Sequence, residues 1–355
     1  MSKLIKLTLL ALGLLAGSSS LLVAGFLCFL TLTEFSPAKH FATEIKGNGS
    51  KIDPSRREFT FFTWNIGYAG LGREQDFFYD GGKSVTPEQM MFNRYFDGIK
   101  KQAKANDTID FIFLQEMDEK AKRSWDTDEV SGLAASLPAF ARVYATNYDC
   151  RYIPVPVQDP MGRVLAGLAT YAHFKPIKAE VRYFDAFFPW PKRLVFLKRC
   201  FIMLRFGLAN GKELVIVNTH NSAYDSTGAL RKRELFMLDS ALQSEYHQGN
   251  YVVAGGDWNS NPRGFNPASI TSGDQVTCVE PPIEPGFLPD WQFVFDPVHP
   301  SNRNVDMPYK KGVTKTTIID FFVVSPNVEV TRVAAIPMGF AYSDHEPVKM
   351  GIRLK

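Results

Sequence analysis

Six short runs, Phe59–Ile66, Ile109–Gln115, Glu213–Thr219, Tyr251–Gly255, Thr317–Val324 and Val348–Leu354, are dense in aromatic and β-branched residues and almost free of charge. Each is too short for a buried helix and too uniformly apolar for a strand with one wet face. Such runs suit strands covered on both sides. Helical patterns lie between them. Thr86-Pro87-Glu88-Gln89 reads as a capping box with proline at the first helical position, followed by Phe92, Phe96, Ile99 and Ala103 on one face. A second helix is expected from Ala229 to Gln248, with Leu235, Leu238, Leu242 and Tyr246 inward and Gly249 ending it. Strands alternating with helices make an α/β chain. No internal repeat or low-complexity tract interrupts the pattern.

Lys3 and Lys6 precede an uncharged run of 26 residues, Leu7–Leu32. As a helix it would reach roughly 39 Å at ~1.5 Å per residue, enough to cross a bilayer with tilt. The preceding lysines favour a cytoplasmic N-terminus and an exported remainder. Residues 1–33 are therefore expected to be an uncleaved anchor, with a cleaved signal peptide and a secreted product as the alternative. Residues 34–57 are polar and read as a linker to a single domain over residues 58–355. Removing residues 1–37 leaves 318 residues, whose charge is (40 − 2) − (37 − 1) = +2. A broad basic face of the kind that holds nucleic acid usually gives a larger excess. The four cysteines, Cys28, Cys150, Cys200 and Cys278, have no metal-ligand spacing and make no disulfide scaffold. The chain also lacks a glycine-rich phosphate loop, a GxSxG elbow and HExxH, which removes several enzyme classes.

The chemistry collects at the ends of the runs. Trp64-Asn65 and Gln115-Glu116 close two of them, and Thr219-His220-Asn221 closes a third. Gly256-Asp257-Trp258-Asn259 follows the fourth. Asp320 sits inside the fifth, and Ser343-Asp344-His345-Glu346 precedes the last. One polar ending means little; six on strands able to converge suggest an active site. Asn65 and Glu116 are hard oxygen donors of the kind Mg²⁺ or Mn²⁺ accepts beside water and phosphate. Two histidines without cysteine do not make a dedicated zinc cage. Asp320 and His345 could pair, fixing the imidazole's tautomer and stabilising its charge. Asp257 and Asn259, two apart on an extended chain, could share a water and a phosphoryl oxygen. Together these groups suit phosphoester hydrolysis.

The ordered set TWN, LQE, NTHN, GGDWN, IDFF and SDHEPV resembles the endonuclease/exonuclease/phosphatase superfamily over about residues 58–355. The resemblance implies a deoxyribonuclease-I-like, four-layer α/β sandwich of two packed mixed β-sheets flanked by helices. Here one N-terminal transmembrane or signal helix would precede it. It further implies that Asn65 and Glu116 meet the metal, Glu116 as its main ligand, with Asp344 assisting. His220 would stabilise the phosphate, Asp257 and Asn259 would position the nucleophile or phosphoryl group, and Asp320 would orient His345 as general base. Gly67 departs from the acid that many DNA-repair members carry two residues after the first asparagine, which weighs against abasic-site cleavage. The expected activity is metal-dependent hydrolysis of a lipid-headgroup phosphodiester outside the cytoplasm, in the manner of a sphingomyelinase or phospholipase C. An extracytoplasmic nuclease and an inositol or sugar phosphate phosphatase are the alternatives. Between Tyr183 and Phe206, aromatic clusters alternate with Lys192, Arg193, Lys198 and Arg199. Two readings stay open there: a core strand pair with a proline-containing turn, or a hairpin dipping into a membrane interface.

Overall fold

The computed structural model describes residues 2–270 and 276–355. Two seven-stranded sheets form its centre. The first runs, in spatial order, β1 (His40–Ala42), β7 (Lys178–Tyr183), β8 (Cys200–Gly207), β9 (Glu213–His220), β10 (Tyr251–Asp257), β15 (Asp320–Val324) and β12 (Gln292–Val294). The second runs β16 (Val328–Ala335), β17 (Val348–Leu354), β3 (Glu58–Asn65), β4 (Phe111–Ala121), β6 (Gly162–Ala172), β5 (Ala141–Ile153) and β2 (Lys46–Gly47). A small third sheet joins β11 (Val276–Thr277), β14 (Lys315–Thr317) and β13 (Asn302–Arg303). β9 runs parallel to β10 and β3 to β4, while the other neighbours in the large sheets are antiparallel, so both are mixed. The six apolar runs fall on β3, β4, β9, β10, β14 with β15, and β17.

Strand alternation explains the layers. Phe59 and Phe61 of β3, Phe111 and Phe113 of β4, and Leu214 and Ile216 of β9 fill the core between the sheets, together with Tyr251, Val253, Phe322 and Val324. Their neighbours face outward. Phe62, Trp64, Ile112 and Leu114 pack against Phe92, Phe96 and Ile99 of α2 (Gln89–Ala105) and Leu133 of α3 (Glu129–Ser136). Val215, Val217, Val252 and Ala254 pack against Leu235, Leu238 and Leu242 of α4 (Ala229–His247). Helices, sheet, sheet and helix make the expected four layers. Each buried aliphatic or aromatic side chain contributes about 1.5–3 kcal/mol by leaving water.

Two expectations change. Helix α2 begins at Gln89, not at Pro87, and Thr86 caps nothing. Val85 is buried in a separate apolar cluster, and the Pro87 carbonyl accepts a hydrogen bond from Trp125 Nε1 at 3.0 Å. Those contacts hold residues 85–88 out of the helix. The stretch 34–57, expected as a linker, supplies the edge strands β1 and β2, and Ser50 bridges to Phe174. The long apolar run forms α1 (Lys3–Leu32), which is long and apolar enough to cross a membrane and exposed along most of its length. All four cysteines are free.

Candidate active site

The alternation that fills the inter-sheet core also builds the site. Asn65, Gln115, Asn218, His220, Asp257 and Asp320 occupy inner-face positions, continuing the series of Phe61, Phe113, Ile216, Val253 and Phe322 to one edge of the sandwich. There the core turns from hydrocarbon to amide, imidazole and carboxylate. Asp257 lies beside His220 in the parallel β9–β10 ladder and beside Asp320 in the antiparallel β10–β15 ladder. Three adjacent strands thus present three polar groups at one level. His345 enters from the loop before β17, with Trp64 Nε1 donating to its carbonyl at 2.8 Å.

His345 Nδ1 lies 2.7 Å from Asp320 Oδ2, which also accepts from Ser301 Oγ at 2.8 Å. His220 Nε2 lies 3.3 Å from Asp257 Oδ2, and the other oxygen of Asp257 accepts the Asn259 backbone N–H at 2.9 Å. Asn259 adopts a left-handed φ of 47°, and its side-chain amide donates to the Asn221 carbonyl at 2.9 Å. The expected Asp320–His345 pair is therefore present, with His220–Asp257 as an additional one. Asp257 and Asn259 meet through the Asn259 backbone N–H because the chain turns there instead of staying extended. Donor atoms of Asp257, Asp320 and His345 lie within 4.8 Å of one another, a spacing a cation could bridge. Hydrogen bonds already engage several of them.

Burial pushes the Asp320 carboxyl up to about 6, even against the pull of His345. Burial also resists charge on His345, but the carboxylates of Asp320, Asp344 and Asp257 outweigh it and raise the imidazole to about 10. Burial opposes ionisation of Asp257 too; its bond to His220, the charges of His220 and His345 and the Asn259 N–H overcome that and hold it far below the usual range. His220 is pushed down by burial and by the charge of Arg199, with Asp257 opposing. The site thus holds an anionic Asp257 between a readily charged imidazole and one that resists charge.

Glu116 reaches the site through a defect in its strand. The β4–β6 register shifts between Leu114 and Met117, and Glu116 takes a left-handed φ of 53°. A non-glycine residue there costs on the order of 1–3 kcal/mol, and such bulges re-aim a side chain next to active sites. Asn65 Nδ2 donates to Glu116 Oε1 at 3.3 Å and to Asp257 Oδ2 at 3.0 Å, while Asn65 Oδ1 accepts the Gly67 N–H at 3.0 Å. Asn65 therefore ties the two carboxylates together. Gly67 has a φ of 51°, and a Cβ on it would lie 2.8 Å from Asp344 Oδ1. A side chain at that position would be strained by this φ and would have to displace the Asp344 carboxylate.

The donor set fits a divalent ion. Burial raises the Asp344 carboxyl, His345 offsets this, and the charge of Glu116 adds to it. Asp80, pushed up to about 6 by burial, feels both Asp344 and Glu116. Carboxylates crowded together in this way are groups a hard cation would relieve.

Arg199 escaped sequence reasoning as a site residue. It is only 7% exposed, its Nη1 has no hydrogen-bond partner, and it lines the same cleft as Glu116, His220 and His345. Its basic, aromatic surroundings left core and surface readings open, and nothing in the sequence set it apart from Lys198 beside it. Ser301 and Asn302 also went unnoticed because they lie in an irregular stretch; Asn302 Nδ2 lies 3.0 Å from His345 Nε2. The cleft measures about 920 Å³. Ile153, Val155, Phe188, Val195, Phe196 and Leu197 give the cleft wall an apolar part.

A two-sheet sandwich with this polar edge is the architecture of a phosphoesterase. The model of the Endonuclease/Exonuclease/phosphatase family matches residues 62–345, and the chain belongs to that family. Solved structures agree in fold. An endonuclease/exonuclease/phosphatase from Beutenbergia cavernae DSM 12333 shares 16% identity at a TM-score of 0.56, covering 84% of this chain and 72% of its own. ANGEL2, a 2',3'-cyclic phosphatase, in complex with adenosine-2',3'-vanadate, shares 16% at 0.54, covering 88% and 99%. The human Nocturnin catalytic domain with bound sulfate shares 16% at 0.51, covering 88% and 98%. Comparison with curated protein sequences finds no match.

Proposed function

We propose that this protein is a divalent-metal-dependent phosphodiesterase acting on a lipid headgroup, tethered by α1 with its catalytic domain outside the cytoplasm. Apolar side chains and a charged, phosphate-ready edge lining one cleft carry this reading. A hydrocarbon-bearing phosphodiester uses both; a nucleic acid could stack bases on Phe188 and Phe196 but would gain less from the aliphatic Ile153, Val155, Val195 and Leu197.

Glu116 and Asp344 would hold Mg²⁺ or Mn²⁺, with Asn65 orienting Glu116. When bound, the cation would supply charge against the phosphoryl oxygens and make a water more acidic. Asp257, kept ionised, is placed to accept a hydrogen bond from an attacking water, with Asn259 beside it. His220 and Arg199 donate to phosphoryl oxygens, where charge accumulates. His345, held by Asp320 and protonated at neutral pH, is placed to stabilise the phosphoryl group or give its proton to the leaving oxygen. The high pKa favours that role over general base.

The test is a panel of phospholipid vesicles, single- and double-stranded nucleic acid, and inositol phosphates, each with Mg²⁺ and with chelator. Chelator-sensitive headgroup release is expected. Turnover confined to nucleic acid or to monoesters would replace the lipid assignment, and turnover unaffected by chelator would remove the metal.

A further inference from the structure

The end of α1 is built into the catalytic domain. Leu30 is buried, and the Phe26 ring meets Tyr152 edge-on at 6.2 Å. Trp190 Nε1 donates to Thr31 Oγ1 at 3.3 Å. Just past the helix, Glu34 accepts from Lys198 Nζ at 2.7 Å and lies 3.3 Å from Arg193 Nε. These contacts come from two segments, the end of β5 with the turn that follows it, and the loop between β7 and β8. The strands on either side of that loop are core; within the loop Phe187, Trp190 and Arg193 are exposed, while Leu194, Lys198 and Arg199 are buried. The core reading of residues 183–206 thus holds for the strands, and the exposed part of the loop is surface.

Those contacts set a height. About 20 helical residues cross a hydrocarbon core of roughly 30 Å, so a span beginning at Leu7 leaves the core near Phe26. The six residues from there to Leu32 rise about 9 Å further, through the headgroup layer. Tyr152 and Trp190, which touch α1 at Phe26 and Thr31, stand at that level. Around them are Val155 and Phe187, and Val157, whose exposure of 80% would be costly facing water. Tyr and Trp favour this depth, and Arg193 would meet anionic headgroups beside them.

We infer that residues 151–157 and 187–193 form a rim seated in the headgroup layer of the bilayer that α1 crosses. Ile153, Val155 and Phe188 belong to both rim and cleft wall, so the mouth of the cleft opens onto the membrane. The partner is a lipid surface, and the substrate arrives by lateral movement within the leaflet. The rim rests on α1 as a span and is independent of which phosphoester is cleaved; lateral delivery rests in addition on the proposed lipid-headgroup substrate.

Its test uses the full chain in nanodiscs of phosphatidylcholine with anionic phospholipid. Single cysteines replace Val157, Phe187 and, as a control, Glu329 on β16, at the far edge of the β5-containing sheet, in a Cys28→Ser, Cys278→Ser background. Each carries a nitroxide label. Labels at 157 and 187 are expected to be more accessible to oxygen than to a water-soluble nickel chelate, with the reverse at 329. Equal, water-like accessibility at all three positions would overturn the rim. In parallel, Phe187→Asp with Val157→Asp should lower turnover of vesicle-borne substrate while leaving a small soluble phosphodiester unaffected; equal turnover of both substrates would also count against it. Membrane-depth labels combined with no lipid hydrolysis would keep the rim and remove the lipid-headgroup assignment.

Discussion

Gln115 Nε2 donates to Asn218 Oδ1 at 2.7 Å across the interior of the sandwich, joining β4 of one sheet to β9 of the other. Asn218 in turn donates to the carbonyls of Ala169 at 2.9 Å and Leu114 at 3.4 Å. Glu116 follows directly in one strand and His220 two residues on in the other, so the pair sets the relative height of the two halves of the site. Asn218→Ala removes the acceptor and leaves Gln115 Nε2 buried with only a 3.3 Å contact to Thr63 Oγ1. Stability should fall by about 1–3 kcal/mol and kcat by up to ~100-fold, since small displacements in a positioned site are that costly. Thermal melts and steady-state kinetics check both. A destabilised variant with unchanged kcat would show that the pair holds the sheets but not the site.

Glu116 is one-quarter exposed at its side chain and accepts a single side-chain hydrogen bond, so Glu116→Gln should fold. Losing its charge should weaken Mg²⁺ binding, seen by titration calorimetry, and lower activity at least ~100-fold. Unchanged activity at saturating Mg²⁺ would dismiss Glu116 as principal ligand.

Asp320 and His345 should fail together. Asp320→Asn leaves an imidazole that is less basic and less firmly held, and His345→Ala removes it. The double variant should lose little more than either single one, as groups acting as a unit do. Losses that add in log kcat would separate their roles.

For Arg199, Arg199→Met keeps the stem and removes the charge. A hydrogen bond to a charged group is worth about 1.5–3 kcal/mol, so kcat/KM should drop roughly 10- to 100-fold, and inhibition by inorganic vanadate should weaken in parallel. Intact vanadate inhibition would place Arg199 outside the phosphoryl site.

What could be read in the sequence was what alternation carries. The apolar runs marked the strands, and their polar endings marked Asn65, His220, Asp257 and Asp320 as residues able to converge on one edge before any contact was known. The bulge at Glu116 could not be read, because no glycine marks it and the left-handed φ is imposed by surrounding structure. The start of α2 was misread because a local capping pattern lost to the Trp125–Pro87 hydrogen bond, a contact 38 residues apart. Edge strands β1 and β2 have two or three residues, too few for periodicity to register. Arg199 could not be told from its basic neighbours, since what distinguishes it is an unpartnered nitrogen.

Glu234 provides a pH test away from the proposed metal ligands. It is buried on α4, where it accepts from Ser222 N at 2.8 Å, Ser222 Oγ at 2.5 Å and Asn221 Nδ2 at 3.3 Å. Burial nevertheless prevails over these bonds and over the charge of Arg199, pushing the carboxyl up to about 7. An unfolded glutamate titrates near ~4.3. Between those values the folded state binds more protons than the unfolded one, so this group's contribution to stability is complete at low pH and declines as pH rises to about 7. A shift of that size corresponds to about 4 kcal/mol. Glu234→Gln is neutral at every pH. Its oxygen can take the two N–H bonds and its nitrogen can donate to Ser222 Oγ. Relative to the wild type, the variant should therefore gain stability from pH 5 to about pH 7 and level off above that. Melting temperatures at half-unit intervals would show this as two curves that separate toward high pH. Parallel curves would mean that Glu234 is already ionised in the folded protein and that its hydrogen bonds and Arg199 outweigh burial.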